Sequence, residues 1–95
     1  MPAYVVVTER VTDENGFDEY RSAVLDTLMP FKGRFTIRGG RLSVIEGESP
    51  MPRFVVIEFP SREAAEGRYH SPAYQKIVPM RLNSAVGNRP IVGGA

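Results

Sequence analysis

Ninety-five residues make one domain, and a chain this short buries only about 60–65% of the surface it exposes when unfolded, so its core gains from a partner subunit. Hydrophobic residues at 42% and charged residues at 24% argue against disorder, and no apolar run approaches the roughly 20 residues of a spanning helix. Twelve basic against eleven acidic residues leave a net charge of +1, without the clustered excess that a row of phosphates demands, so neither nucleic acid nor a membrane is an expected partner.

Cysteine is absent, which removes disulfides, thiolate nucleophiles and zinc-thiolate sites together. Met1-Pro2-Ala3-Tyr4 runs directly into a strand-like segment with neither a basic nor an apolar leader region, so a cytoplasmic location is the expectation.

Ala3 to Thr12 alternates Val5, Val7 and Val11 with Tyr4, Val6 and Thr8, a strand apolar on both faces. Thr12 or Asp13 then offers an N-cap oxygen. Phe17, Tyr20, Val24, Leu28 and Phe31 recur at steps of three and four residues, which predicts a helix with one buried face, ended by Pro30 and Gly33. Arg34 to Glu46 reads as one long strand bent at Gly39-Gly40, because paired glycines within a strand mark a bulge, bend or turn. Gly47 to Pro52 is a loop.

Arg53 to Phe59 sets Phe54 and Val56 against Val55, Ile57 and Phe59, the pattern of a central strand. Ser61 caps a short helix containing Ala64, Ala65 and Tyr69; Ser71, followed by Pro72 at the first helical position, caps another running to about Val78, where Pro79 ends or kinks it. Arg89 to Val92 closes the chain as a brief strand between Gly87 and Gly93.

Strand, helix, strand, strand, helix, strand is the order of an α+β, ferredoxin-like split βαβ unit with a four-stranded antiparallel sheet and its helices on one face. The first and third strands are nevertheless apolar on both faces. A monomer would leave one broad apolar face uncovered, so the pattern predicts a symmetric homodimer whose sheets meet as an α/β barrel.

These residues make the chain similar to the family filed as domain of unknown function 1330, in the dimeric α/β-barrel superfamily. The matching segments are Tyr4 to Val7, Asp18 to Ala23, Gly39-Gly40-Arg41, Val44 to Gly47, Glu58-Phe59-Pro60-Ser61 and Ser71 to Gln75. The resemblance implies the fold and the dimer but no activity. Similar barrels include cofactor-independent oxygenases, isomerases of small lactones and haem-handling proteins. It also implies an aromatic residue where this chain has Arg68.

Among candidate site residues, His70 is the only histidine and the only side chain whose ordinary pKa lies near neutrality. It reads either as a solvated helix-end residue or as a general base. Glu9 and Glu58 are carboxylates within apolar strands: if they share a face, a desolvated glutamate there can serve as a base, and otherwise they pair with Arg10 or Arg53. Arg21 lies beside Phe17, Val24 and Leu28, so it either pairs with Glu58 or Glu9 or holds a ligand's carboxylate or enolate oxygen.

Arg38 and Arg41 flank the glycine pair, where backbone can approach a ligand closely. Tyr4, Tyr20, Tyr69 and Tyr74 are core residues with one wet end, or the wall of a pocket for an aromatic or oxygenated molecule. Neither a metal-ligand cluster nor a phosphate-cradling or serine-nucleophile motif occurs, so no cofactor is expected. The leading expectation is a pocket between sheet and helices for a small organic acid or aromatic metabolite, with Arg21, Arg38, Tyr20 and Tyr69 as ligand-binding residues. The alternatives are a cofactor-independent oxygenase or isomerase with Glu58 or His70 as base, and a structural or interaction module.

Overall fold

The computed structural model describes residues 1–40, 42–48 and 51–94. Its elements are β1 (Ala3–Val11), α1 (Glu14–Leu28), a 3-10 turn (Met29–Phe31), β2 (Arg34–Arg38), β3 (Arg53–Phe59), α2 (Arg62–His70), α3 (Pro72–Leu82), β4 (Ala85–Asn88) and β5 (Ile91–Gly93). The strands form one antiparallel sheet in the order β2-β3-β1-β4, with β5 also paired to β1. This is the expected α+β arrangement.

Each helix begins where a short polar side chain can accept an otherwise orphaned backbone N–H. Asp13 accepts from Gly16 N, Ser61 from Ala64 N and Ser71 from Tyr74 N. Lys32, with φ of 58°, closes the turn after α1 in the left-handed region, while the N–H groups of Lys32 and Gly33 satisfy the carbonyls of Met29 and Leu28.

Ala3, Val5, Val7 and Glu9 of β1, with Val55, Ile57 and Phe59 of β3, are buried towards the helices. Phe17, Tyr20, Val24 and Leu28 of α1 and Tyr74, Ile77 and Val78 of α3 close over them as one core. The other sheet face presents Tyr4, Val6, Thr8, Phe54 and Val56, all half-buried in the single chain. Two neighbouring strands thus carry apolar side chains on both sides.

Three boundaries differ from expectation. The extended segment after α1 stops at Arg38, and of the described residues beyond it none from Gly40 to Glu48 is in a strand; the turn at Gly39, φ 69°, takes the chain off the sheet instead of bending it within the sheet. Arg41, and Ser49 and Pro50 of the expected loop, lie outside the described residues.

Helix α3 continues through Pro79 to Leu82. Proline removes one intrahelical hydrogen bond there, but Ile77 and Val78 are packed into the core and Asn83 N still reaches the Pro79 carbonyl, so the helix carries on.

The final strand is longer than Arg89–Val92 and is split in two. Asn88 lies opposite Thr8 and Ile91 opposite Val5, so β4 and β5 keep a single register along β1. Pro90 has no N–H for the ladder and interrupts it, although its carbonyl still accepts from Val6 N at 3.0 Å.

One irregularity positions a candidate site residue. Opposite β3, Phe35 pairs with Ile57 but Ile37 pairs with Val56 and Arg38 with Val55, a bulge of one residue at Thr36. Side chains alternate with a period of two, so this insertion turns Ile37 to the open face and Arg38 to the helix face.

An arginine-lined cleft between the sheet and the first helix

The helix side of the sheet holds a cleft of about 440 Å³ against α1, whose lining includes Arg21, Arg38, Arg53, Arg89, Glu9 and Tyr20. That volume falls within the range usual for small-molecule sites, about 300–1,000 Å³. Phe17, Val24 and Phe35 supply apolar walls.

Glu9 is in phase with Val5 and Val7, so its side chain enters the interior, and it is only 3% exposed. A carboxylate there requires donors. Arg53, its direct neighbour across β1 and β3, gives Nε to Oε2 at 2.9 Å, and Arg89 gives Nη2 to Oε1 at 2.9 Å. Gly87 stands opposite Glu9 on β4, and a Cβ there would lie 2.6 Å from the Glu9 Cβ. Glycine is what lets the two strands meet at the carboxylate.

Aromatic faces hold the other guanidinium groups. Arg21 and Arg53 lie over the Phe17 ring at 5.0 and 5.5 Å, and Arg38 lies over Phe35 at 4.8 Å. Arg21 is further tied to Asp18 at 3.0 Å on the helix surface. Arg38 has no carboxylate partner among the described residues. Among the described residues Glu9 is thus the one carboxylate lining a cleft with four arginines, an excess of positive charge.

Beneath the cleft, the Tyr20 and Tyr74 hydroxyls share a hydrogen bond of 2.7 Å. Burial, then the neighbouring Tyr74, push the Tyr20 phenol up to about 12, so it is a neutral hydroxyl that donates or accepts a hydrogen bond at physiological pH.

The structure brings Arg21, Arg38 and Tyr20 together in this cleft. Glu58 is elsewhere. Glu58 pairs with Tyr4 on the open sheet face and is bonded to Arg34 Nη2 at 3.2 Å, so it and Glu9 lie on opposite sides of the sheet. The shared-face arrangement of these two carboxylates does not form, because residues 9 and 58 differ in strand phase. His70 is exposed at the end of α2, edge-on to Tyr69, and lines neither cavity. Tyr69 lines a separate, smaller cavity.

Arg21 bonds to Asp18 of its own helix; neither Glu9 nor Glu58 is its partner, each being occupied by strand arginines. Arg53, one of the two partners expected for these glutamates, does pair with Glu9, whereas Arg89 carries no local sign of its role. Arg53 shares the strand phase of Val55 and Ile57, and that phase is the signal that places it in the interior.

A family model described as domain of unknown function (DUF1330) matches residues 2–95. The chain belongs to this family. Among solved structures, this DUF1330 chain is similar to a protein of unknown function, RPA0582, from Rhodopseudomonas palustris, with a TM-score of 0.75 and 16% identity over 96% of this chain and 78% of that one. It is also similar to SnoaB, a cofactor-independent oxygenase from Streptomyces nogalater, with a TM-score of 0.67 and 10% identity over 99% and 93% of the two chains. HapK from Hahella chejuensis gives a TM-score of 0.62 at 13% identity, covering 100% and 93%. At these identities the likeness is one of fold, that of the dimeric α/β barrels. No curated protein matches the DUF1330 chain.

Proposed function

We propose that this DUF1330 protein is a homodimer that binds a small organic acid, preferably one carrying an aromatic ring, in the cleft between its sheet and α1. The observation that carries this reading is the imbalance of four arginines over one carboxylate in a cavity with aromatic walls. Arg53 and Arg89 are committed to Glu9, and Arg21 is shared with Asp18. Arg38 has no carboxylate partner among the described residues, and the bulge at Thr36 directs it to the cleft side of the sheet. A ligand carboxylate accepting from Arg38, with its ring against Phe17 and Phe35, uses the charge and the walls together.

The dimer reading rests on the open sheet face. Val6, Phe54 and Val56 there, with the exposed Ile37, form an apolar surface on the side away from the helices. A two-fold contact between these faces would shield it and leave the cleft on the outer side of each sheet.

Isothermal titration of the purified protein with benzoate, phenylacetate and their neutral amides tests the ligand reading. Saturable binding of the acids but not the amides is expected, with about a tenfold loss, or about 1.4 kcal/mol, for Arg38→Gln. Equal binding of acids and amides, or an unaffected Arg38→Gln, overturns it. Light scattering at micromolar concentration tests the dimer, and a monomer refutes it.

A further inference from the structure

Arg89 has a second neighbour of like charge. Arg68, on α2, is only 3% exposed, and its guanidinium lies flat over the Tyr74 ring, 3.6 Å from the centroid. Its Nε and Nη2 both donate to a single acceptor, Thr27 Oγ1, at 3.3 and 3.2 Å. That hydroxyl is fixed in orientation because it donates its own proton to the Val24 carbonyl at 2.6 Å. The Tyr20 and Tyr74 hydroxyls also act on the guanidinium, Tyr20 through hydrogen bonding as well as electrostatically, but both are phenols, not carboxylates, and share a hydrogen bond of their own. No carboxylate pairs with Arg68 among the described residues.

An arginine keeps its charge wherever it is placed, so the interior holds a permanent cation without a counterion. Burial lowers the Arg68 pKa, the expected response to this desolvation. A second unmet demand lies beside it: Arg89 Nε is buried and has no hydrogen-bond partner among the described residues. Glu9 accepts from Arg89 through Nη2 alone. Arg68 and Arg89 both line a cavity of about 240 Å³, walled by Val5, Ala65, Tyr69 and Ile91 and separate from the larger cleft except at Arg89.

We propose that this smaller cavity is a second anion site, which takes the carboxylate of a short aliphatic acid between Arg68 and Arg89 with its alkyl end against Val5, Ala65 and Ile91. The volume lies below the range usual for drug-sized ligands, about 300–1,000 Å³, and suits a small acid. The walls favour an apolar tail over a second charge. A carboxylate supplies the counterion that Arg68 lacks and adds negative charge beside the Arg89 guanidinium. This site stands independently of the ligand proposed for the larger cleft, because Arg68 does not line that cleft.

The experiment uses butyrate as probe, with butyramide as the uncharged control, on the wild type, Arg68→Met and Arg38→Gln. Expected is a saturable rise in melting temperature with butyrate for the wild type and for Arg38→Gln, and at least a tenfold weaker apparent affinity for Arg68→Met. Arg68→Met should also melt no lower than the wild type without ligand, because it replaces an uncompensated buried cation with an apolar side chain. Loss of the butyrate effect in Arg38→Gln but not in Arg68→Met assigns binding to the larger cleft and overturns this proposal alone. An equal effect of butyramide overturns it as well.

Should Arg68→Met fail to fold, the wild type still decides the matter by nitrogen-15 NMR of the arginine Nε–H groups. With butyrate, the two most shifted resonances should be those of Arg68 and Arg89. Unmoved resonances refute the site.

Discussion

Replacing Glu9 by glutamine tests the whole arrangement around the cleft. The carboxylate makes two charge-assisted hydrogen bonds of 2.9 Å, to Arg53 and Arg89, and its side chain is 4% exposed. Glutamine keeps one acceptor oxygen but turns an NH₂ group towards the other arginine, so a donor meets a donor and both cations lose their counterion. Removing one partner from a buried pair costs about 3–5 kcal/mol. The arginine side chains are 26% and 16% exposed, so water relieves part of this, and the lower end, about 3 kcal/mol, is the expected loss. For a domain of this size that lowers the melting temperature by about 12–20 °C.

Thermal and urea denaturation at one fixed protein concentration measure it, since any self-association makes stability depend on concentration. Glu58→Gln is the internal control: its partner Arg34 is 72% exposed, and such a pair contributes about 0–1 kcal/mol. Near-equal effects of the two substitutions would refute the claim that Glu9 organises the interior.

Raising the pH should remove stability through Tyr20. Its folded pKa of about 12 lies above the ordinary 10.0, so the folded state holds this proton more tightly than the unfolded chain. Stability is fully present below pH 10 and falls between pH 10 and 12, by on the order of 2–3 kcal/mol, and Tyr20→Phe should flatten that part of the urea-denaturation profile. Gly87→Ala should destabilise by about 1–3 kcal/mol, because its Cβ would meet the Thr8 carbonyl and Glu9, whereas Gly40→Ala, with no atom within 4 Å, should be neutral or slightly stabilising by urea denaturation. Val56→Asp on the open sheet face should weaken dimerisation at least about a hundredfold, read by light scattering across a dilution series; an unchanged dimer would place the interface elsewhere.

Periodicity made the helices, the central strands and their capping residues legible. Ser61 and Ser71 cap where the hydroxyl position predicts, and Phe17, Tyr20, Val24 and Leu28 form the buried face of α1. The errors fell where local rules compete with distant packing. Pro79 reads as a stop or a kink, but Ile77 and Val78, just before it, are packed into the core and hold the helix across the lost hydrogen bond. Pro90 splits a strand that a short window sees only in part. The bulge at Thr36 leaves no local mark on Arg34 to Arg38, because it exists only relative to the register of β3.

The same reasoning explains why the candidate site was half visible. Arg21 and Tyr20 share a helix face with the core residues, so a helical wheel brings them together. The Glu9 pairs join residues 44 and 80 positions apart, and no window contains both partners. Strand phase alone shows that Glu9 and Arg53 point inward; it does not show that Arg89 meets them, since that depends on β4 and β5 keeping one register across Pro90. Arg68 is the harder case. It ends a short helix beside His70 and Ser71, a setting that suggests a solvated surface, and only the packing of α2 against α3 and β1 brings it to Thr27 of α1 and onto Tyr74. The interior thereby acquires Arg53, Arg89 and Arg68 against Glu9 alone. The fold requires only that Glu9 be neutralised, and the arginines beyond that requirement are the basis of the two proposed anion sites.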